Sequence, residues 1–308
     1  MKKTIIVFSQ VLSFVFTINY AYSQTPSDAV MMQKRQICLG VIYNFGSFDE
    51  YWEGDHLRNN ATIEKVSRNV ILNMVAIGIM DRLNLIVTVP YVQTKSSEPN
   101  GGKFMGVTGF QDIGFALKGE IINNQLGSGK LAMLGAFGYS APLTNYLSDY
   151  MPYSIGSGAD VWSFRGIVQY KLDNGFYART SAAYLLRGQT EAERDYYYNN
   201  GSYYTAWMDV PNAWNYNIAL GKKFFENSLL IEANYTGFKS TSGDDIRVYN
   251  AAQPTNKVEF EEISFLAQYY FKQLKGFGVL TGYSQRIDGR NTSKLSNFRV
   301  GFTYAFKI

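Results

Sequence analysis

Apolar and polar residues alternate along most of the chain, in short segments separated by polar connections. The last segment, NFRVGFTYAFKI at residues 297–308, shows the pattern clearly: every second residue from Phe298 to Ile308 is large and apolar, and Arg299 and Lys307 lie between them. Successive side chains of a strand point to opposite faces, so the segment predicts a strand with one apolar and one polar face. A strand of a soluble β-sandwich has the same pattern, so this segment alone leaves both classes open.

The same alternation recurs along the chain and predicts about twelve strands, an even number, as in single-chain bacterial outer-membrane barrels. The apolar side of the first predicted strand carries Ile37, Leu39, Val41, Tyr43 and Phe45. The second, at about residues 66–79, is apolar on both sides near its end, so the alternation leaves its facing undecided.

The connections between these segments are alternately long and short. MDR and DNG are short, whereas GSFDEYWEGDHLRNNATIEK and QTKSSEPNGGKFMGVT are long. A membrane barrel with short periplasmic turns and long extracellular loops has this arrangement, and a sandwich gives no reason for it. The sequence therefore predicts an all-β protein: a transmembrane antiparallel β-barrel of about 12 strands, preceded by a cleaved signal peptide.

The N-terminus predicts export. Lys2 and Lys3 precede an apolar run at residues 5–18, and Ala21 and Ser23 are placed for cleavage, so we interpret residues 1–23 as a signal peptide and residues 24–308 as the barrel. Residues 24–35 are too short for a plug domain. They could enter the lumen or lead directly into the first strand, and we favour the second interpretation.

Composition excludes several classes of protein. Aromatic residues make up 16% of the chain, yet mean hydropathy is only −0.16 and no mature segment is long and apolar enough for a spanning helix. The net charge of +4 includes the two lysines of the signal peptide, so nucleic acid is not an expected partner. Cys38 is the only cysteine, and we interpret it as a packing residue without a disulfide or lipid anchor. No metal or cofactor motif is found.

Charged residues of both signs fall on the predicted lumen face of the strands. One interpretation is that they form ion pairs that keep a polar interior satisfied, and the other is that they select a solute. We favour ion pairs for most and retain Arg165, Arg179 and Arg299 as lining residues. The full set of lumen-lining candidates is Asp112, Lys118, Glu120, Arg165, Arg179, Glu232, Glu262 and Arg299.

The fourth long loop is rich in aromatic residues, DYYYNNGSYYTAW at residues 195–207. Clustered Tyr and Trp side chains can stack on a flat apolar ligand or a sugar, which makes Tyr203, Tyr204 and Trp207 loop ligand candidates. Such residues more often belong to the membrane-interface girdle or pack between loops, and we favour that interpretation.

An enzymatic outer-membrane barrel would need an activated nucleophile. The single histidine, His56, lies beside Asp55 and near Glu53 in the first long loop, without a G-x-S-x-G motif or an H-x-S pair. A loop histidine among carboxylates is more often a solvated residue, so we predict that the protein is not an enzyme.

One part of the chain resembles a known family. MDRLNLIVTVPYV and GVTGFQDIGFALKGEI together resemble the outer-membrane barrel family named after the MetA pathway of phenol degradation, over about 40 residues. The resemblance implies a transporter of small apolar or aromatic compounds. The residues that carry it are Asp81, Arg82, Leu83, Leu85, Pro90, Tyr91, Val92, Gly109, Asp112 and Lys118.

The sequence thus predicts a monomeric channel of the outer membrane of a Gram-negative bacterium, for passive uptake or export of a small solute. Its expected partners are membrane lipid, the solute, and the barrel-assembly machinery, which would recognise the final strand. Two alternatives stay open: a structural or adhesive barrel acting through its extracellular loops and, less favoured, an outer-membrane lipid-modifying enzyme.

Overall fold

The computed structural model describes residues 24–193, 205–246 and 252–308, and the backbone of two short strands at 197–198 and 202–203. In this part of the chain, twelve long antiparallel strands form a barrel. They are β1 Gln36–Phe48, β2 Val66–Met80, β3 Leu83–Ser96, β4 Asp112–Leu126, β5 Gly129–Pro142, β6 Val161–Leu172, β7 Phe176–Arg187, β8 Ala213–Phe224, β9 Leu229–Ser240, β10 Glu259–Tyr270, β11 Phe277–Arg290 and β12 Ser296–Lys307.

Short strands in the loops complete the architecture. Glu50–Glu53 pairs with His56–Asn59, Gln189–Glu191 with Trp207–Asp209, and Tyr197–Tyr198 with Ser202–Tyr203, while Thr108–Phe110 pairs with the end of β3. Among the described residues, no helix is long and apolar enough to cross a membrane.

The first and last barrel strands close the sheet. β1 pairs with β12 from Gln36 opposite Lys307 to Ser47 opposite Ser296, and β1 also pairs with β2. Each barrel strand therefore has a hydrogen-bonded neighbour on both sides, and the barrel has no open edge. The predicted all-β fold and the strand number are confirmed.

The connections divide the barrel into two ends. Turns of at most six residues, at 81–82, 127–128, 173–175, 225–228 and 271–276, lie at the end where β1 starts and β12 finishes, which we call the turn end. The long connections at 49–65, 97–111, 143–160, 188–212 and 241–258, with a shorter one at 291–295, lie at the opposite loop end. The predicted alternation of long and short connections is confirmed.

The outer surface of the barrel is apolar and aromatic. Exposed side chains such as Val41, Ile218 and Phe302 project outward from the middle of the strands. Aromatic pairs lie at both ends, for example Phe137 with Trp162 at 5.5 Å toward the loop end. The equivalent pair at the turn end is Phe271 with Phe277, at 5.8 Å. An apolar band between two aromatic girdles is the outer surface of a membrane barrel.

The facing of β2, which the alternation left undecided, is clear in the structure. Met74 and Ala76 point into the lumen and are buried, whereas Val75 and Ile77 point outward. The lumen side of β2 is apolar because another part of the chain covers it, as described below.

A charge on the outer band tests the assignment of lipid-facing positions. Ile218, at the middle of β8, is 52% exposed, and Ile218→Arg should lower the free energy of unfolding by about 2–4 kcal/mol because an arginine at the bilayer midplane loses its hydration. Reversible guanidinium unfolding in lipid vesicles measures this change.

Leu57→Arg is the matched control, because Leu57 is similarly exposed, at 43%, but lies on the loop hairpin outside the band. It should change the free energy of unfolding by no more than about 0.5 kcal/mol. Equal effects of the two substitutions would contradict the assignment.

Candidate functional site in the barrel lumen

The lumen face of the barrel has an apolar sector and a polar sector. The apolar sector spans the five neighbouring strands β12, β1, β2, β3 and β4 near the turn end, and the polar sector lies on the remaining strands. The buried residues of the apolar sector are Cys38, Met74, Ala76, Ile86, Ala116 and Ala305. An apolar wall inside a wide barrel needs a cover, since exposed apolar surface is unfavourable in water.

Residues 24–35 provide this cover and form what we call the N-terminal segment. Met32 is 1% exposed and packs into the apolar cluster, and the side-chain amides of Gln24 and Asn84 form a buried hydrogen bond. The interpretation that these residues lead directly into the first strand is therefore wrong. They occupy part of the lumen, where they cover the apolar cluster on the wall made by β12 to β4.

A buried ion pair holds the N-terminal segment in place. Lys118 is fully buried, and its Nζ donates to Asp28 Oδ1 at 2.7 Å and to the carbonyl oxygens of Thr25 at 2.9 Å and Asp28 at 3.3 Å. All three ammonium donors are thus used. Asp28 Oδ1 also accepts the backbone N–H of Val30 at 2.8 Å. A buried lysine is stable only with such compensation, so the segment and Lys118 depend on each other.

Backbone contacts anchor the end of the segment where it enters β1. The N–H of Arg35 donates to the Gly78 carbonyl at 2.9 Å, and the N–H of Ile308 donates to the Arg35 carbonyl at 3.0 Å. A Cβ at Gly78 would lie 2.0 Å from the Gln33 carbonyl oxygen, so only glycine permits this close approach.

Arg179 and Glu232 form a second buried ion pair, across β7 and β9. Arg179 Nη2 lies 2.9 Å from Glu232 Oε1 and Nη1 lies 2.9 Å from Oε2, a bidentate arrangement, and the Tyr177 hydroxyl donates to the same carboxylate. Both charges are more than nine-tenths buried. These contacts fit the ion-pair interpretation of the two residues.

Arg165 and Arg299 lie on the lumen face without a carboxylate ion pair among the described residues. Arg165 donates to Ser181 Oγ at 3.0 Å and to Asn215 Oδ1 at 2.7 Å. Arg299 crosses the face of Gly282, where a Cβ would lie 3.3 Å from Arg299 Cγ, and it lines the same cavity as Glu262.

Two of the acidic candidates on β4 contact connections of the barrel. Glu120 lies within β4 beside the turn at residues 81–82, and its Oε1 is 3.7 Å from Arg82 Nε. Asp112 is at the loop end, where it accepts a hydrogen bond from the Tyr146 hydroxyl. Neither lines the central cavity. The role of the candidate residues in solute selection stays a prediction.

The connection at residues 143–160, which we call loop 3, folds into the loop end of the lumen. Tyr153 is fully buried, and its hydroxyl lies 2.8 Å from Ser96 Oγ. Arg68, on the lumen face of β2, donates from Nη2 to the Ile155 carbonyl at 2.7 Å. Together with Asp112 and Tyr146, these contacts fix loop 3 against the wall.

A cavity of about 540 Å³ lies in the lumen between the N-terminal segment and the polar sector. Its apolar lining includes Ile42, Leu230, Leu266 and Leu280. Its charged lining residues are Asp28, Lys130, Lys171, Arg179, Lys223, Glu232, Glu262 and Arg299. The cavity therefore combines apolar surface with an excess of basic over acidic groups.

The loop ligand candidates are not part of this cavity. Trp207 is 52% exposed on the short strand Trp207–Asp209. Tyr203 belongs by its backbone to the strand that pairs with Tyr197–Tyr198, and Tyr204 lies outside the described residues. Ligand binding by these residues stays a prediction.

His56 lies on an exposed hairpin at the loop end. Its Nδ1 is 2.6 Å from Asp55 Oδ1, and this hydrogen bond lowers the pKa of the Asp55 carboxyl. In the part of the chain that the structure describes, no serine hydroxyl contacts His56, and no group of His, Cys, Asp or Glu could hold a metal ion.

Three charged residues of the cavity were missed by sequence reasoning: Asp28, Lys130 and Lys223. Asp28 was missed because its segment was expected to lie outside the lumen. The sequence did carry a signal for a covering segment. Apolar residues such as Cys38 occupy lumen-facing positions of β1 to β4, whereas the interior of a water-filled channel is polar.

These features define the class of the protein: a β-barrel of the outer-membrane type. The chain is similar to the crystal structure of an outer membrane channel from Pseudomonas putida F1, with TM-score 0.73 and 11% identity over 92% of this chain and 100% of that one. Weaker similarity is found to the NanC porin, with TM-score 0.49 and 10% identity over 86% of this chain and 98% of that one. Similarity is also found to the beta domain of the Bordetella autotransporter Brka, with TM-score 0.47 and 12% identity over 89% of this chain and 100% of that one. No protein-family model and no curated protein matches the chain.

Cys38 provides a probe of the N-terminal segment, because this single cysteine is fully buried beneath it. Asp28→Ala leaves the Lys118 charge uncompensated, which costs about 3–5 kcal/mol and should release the segment. We expect N-ethylmaleimide to modify Cys38 at least about a hundredfold faster in this variant, since each 1.4 kcal/mol is a factor of about ten. Mass spectrometry of timed samples measures the rate.

Two further variants complete this experiment. Asp28→Leu combined with Lys118→Met removes both charges and should restore part of the protection of Cys38. Glu53→Ala breaks an exposed ion pair with Arg58 on the loop hairpin and should leave the rate unchanged. If Cys38 were modified at the same rate in Asp28→Ala as in the protein without substitutions, the proposed role of the ion pair would be contradicted.

Proposed function

We propose that the protein is a passive, non-enzymatic channel that carries small solutes across the outer membrane through its lumen. The observation that carries the proposal is the cavity of about 540 Å³ inside a closed barrel, between the N-terminal segment and the polar sector. A lumen that served only as a structural core would be filled by side chains, as in the smallest barrels.

The N-terminal segment and loop 3 narrow the path. A barrel of twelve strands encloses more space than side chains fill but less than the 16 to 18 strands of general porins. With the segment along one wall, the remaining cavity has the volume of a site for a small molecule, about 300–1,000 Å³. The channel would therefore admit small solutes and exclude oligomers.

The resemblance to the phenol-degradation family supports a solute with an apolar or aromatic body. The lining of the cavity is compatible with such a body, since Leu230, Leu266 and Leu280 contribute apolar surface beside polar groups. Small-molecule sites combine apolar walls with a few polar groups that fix orientation.

Biogenesis is part of the proposal. Residues 1–23 would be removed on export, and the final strand, with Phe306 and Ile308, would be recognised by the barrel-assembly machinery. The closed sheet leaves no strand edge for association, which supports a monomer.

A second candidate function is adhesion through the loops. The observation that favours it is the 52% exposure of Trp207, a large aromatic side chain at the loop end. Deleting residues 189–209 would then abolish binding to a partner and leave permeability unchanged.

Conductance of the purified protein in planar bilayers tests the channel proposal. We expect ion conductance in the intact mature chain. Deleting residues 25–31 should increase it several-fold, because the segment occupies part of the lumen cross-section. Heat-modifiable gel migration would verify that the deletion variant still forms a barrel.

Liposome swelling with neutral solutes of increasing size provides an independent measurement. Bilayers and liposomes that stay sealed with both the mature chain and the folded deletion variant would disprove the channel proposal.

A further inference from the structure

Three lysines lie on one side of the lumen at its turn end. Lys130 on β5, Lys171 on β6 and Lys223 on β8 occupy lumen-facing positions close to the short turns, and all three line the cavity. We call them the turn-end lysines. Lys130 and Lys171 are directly opposed in the register of β5 and β6.

The opposed pair is electrostatically unfavourable. Like charges directly opposite each other on one face of a sheet are destabilising. Among the described residues, neither Lys130 nor Lys171 forms an ion pair or a side-chain hydrogen bond, and the acidic group that acts on Lys171 is Asp173, which is exposed to solvent on the following turn. The structure thus retains a repulsion that an anion between the two ammonium groups would relieve.

The acidic residues of the cavity are committed to other partners. Asp28 is held by Lys118 at 2.7 Å, and Glu232 is held by Arg179 in a bidentate pair. Glu262 is the charged group that acts on Arg299. These three carboxylates act on other cations, and none of them forms an ion pair with Lys130 or Lys171.

Apolar residues lie on the Lys223 side of the turn-end lysines. Leu230 lies directly opposite Lys223 in the register of β8 and β9, and Leu280 follows on the same lumen face, beyond Gln268. A ligand whose charge lies near the ammonium groups therefore has leucine side chains on the Lys223 side of the site.

We propose that the turn-end lysines form an anion site at the periplasmic mouth of the lumen, and that the solutes are small organic anions. The carboxylate of such a solute would bind between Lys130 and Lys171, with Lys223 adding to the attraction. The apolar body would lie toward Leu230 and Leu280. Lysine suits this task because its ammonium is a mobile point charge that adapts to different anions. The assignment of the anion as a transported solute rests on the proposed channel function, but the site itself does not.

Binding of benzoate and of benzamide, its neutral analogue of similar shape, tests the site directly. Isothermal titration calorimetry on the purified mature barrel in neutral detergent should show benzoate binding, with benzamide at least tenfold weaker. The double variant Lys130→Gln, Lys171→Gln should lose at least tenfold in benzoate affinity and leave benzamide unaffected. Heat-modifiable migration verifies that each variant is folded.

Lys222→Gln is the matched control. Lys222 is adjacent to Lys223 in the chain but points outward, where its Nζ lies 4.1 Å from the centre of the Phe176 ring. Removing this lysine changes the net charge near the same end of the barrel without altering the lumen. Benzoate affinity should stay unchanged, and a loss equal to that of the double variant would overturn the proposal.

Reversal potentials in planar bilayers under a tenfold KCl gradient separate this inference from the channel function. The conducting barrel should prefer chloride, and Lys130→Glu with Lys171→Glu should shift its preference toward potassium. A barrel that binds benzoate but never conducts would refute the channel function and retain the anion site. A barrel that conducts, yet binds benzoate and benzamide equally or keeps its ion preference in the Glu variant, would refute the anion site alone.

Discussion

The pairing of β1 with β12 is the interaction on which the rest of the structure depends. The hydrocarbon region offers no water to backbone N–H and C=O groups, so a sheet can span it only when every strand has two neighbours. Twelve residue pairs between Gln36 and Ser47 on β1 and their partners on β12 meet this requirement. Once the sheet is closed, each strand must present one side to lipid and the other to the lumen. The alternation along the chain is a direct result of this closure.

Closure with twelve strands creates an interior that the strands do not fill. Part of it is filled by chain from outside the sheet, with the N-terminal segment near the turn end and loop 3 at the loop end. Each is fixed by a basic residue on the wall, because Lys118 binds Asp28 and Arg68 binds the carbonyl of Ile155. The charged residues inside this barrel therefore hold the N-terminal segment and loop 3 in place, and they also line the lumen.

The lumen charges divide into two groups with different environments. Lys118 and Arg179 are buried and held by carboxylates, where loss of one partner would leave an uncompensated charge in a confined space. Lys130 and Lys171 face the cavity and repel each other. This repulsion destabilises the folded barrel. It is the physical reason for proposing that the two lysines bind the solute and do not stabilise the barrel.

The fold was predictable from the sequence to the level of strand number, connection length and, except for β2, facing, because lipid on one side and water on the other impose a period of two residues on each strand. The inward position of residues such as Arg165 and Arg299 follows from the same period. The alternation could not indicate which inward residues face open space, because that depends on contacts between distant parts of the chain. Lys118 and Asp28 are 90 residues apart, and only the closed barrel brings them together. The sequence by itself determined the wall of the barrel, and the tertiary structure decided what fills it, because filling depends on three-dimensional distances that a local pattern does not encode.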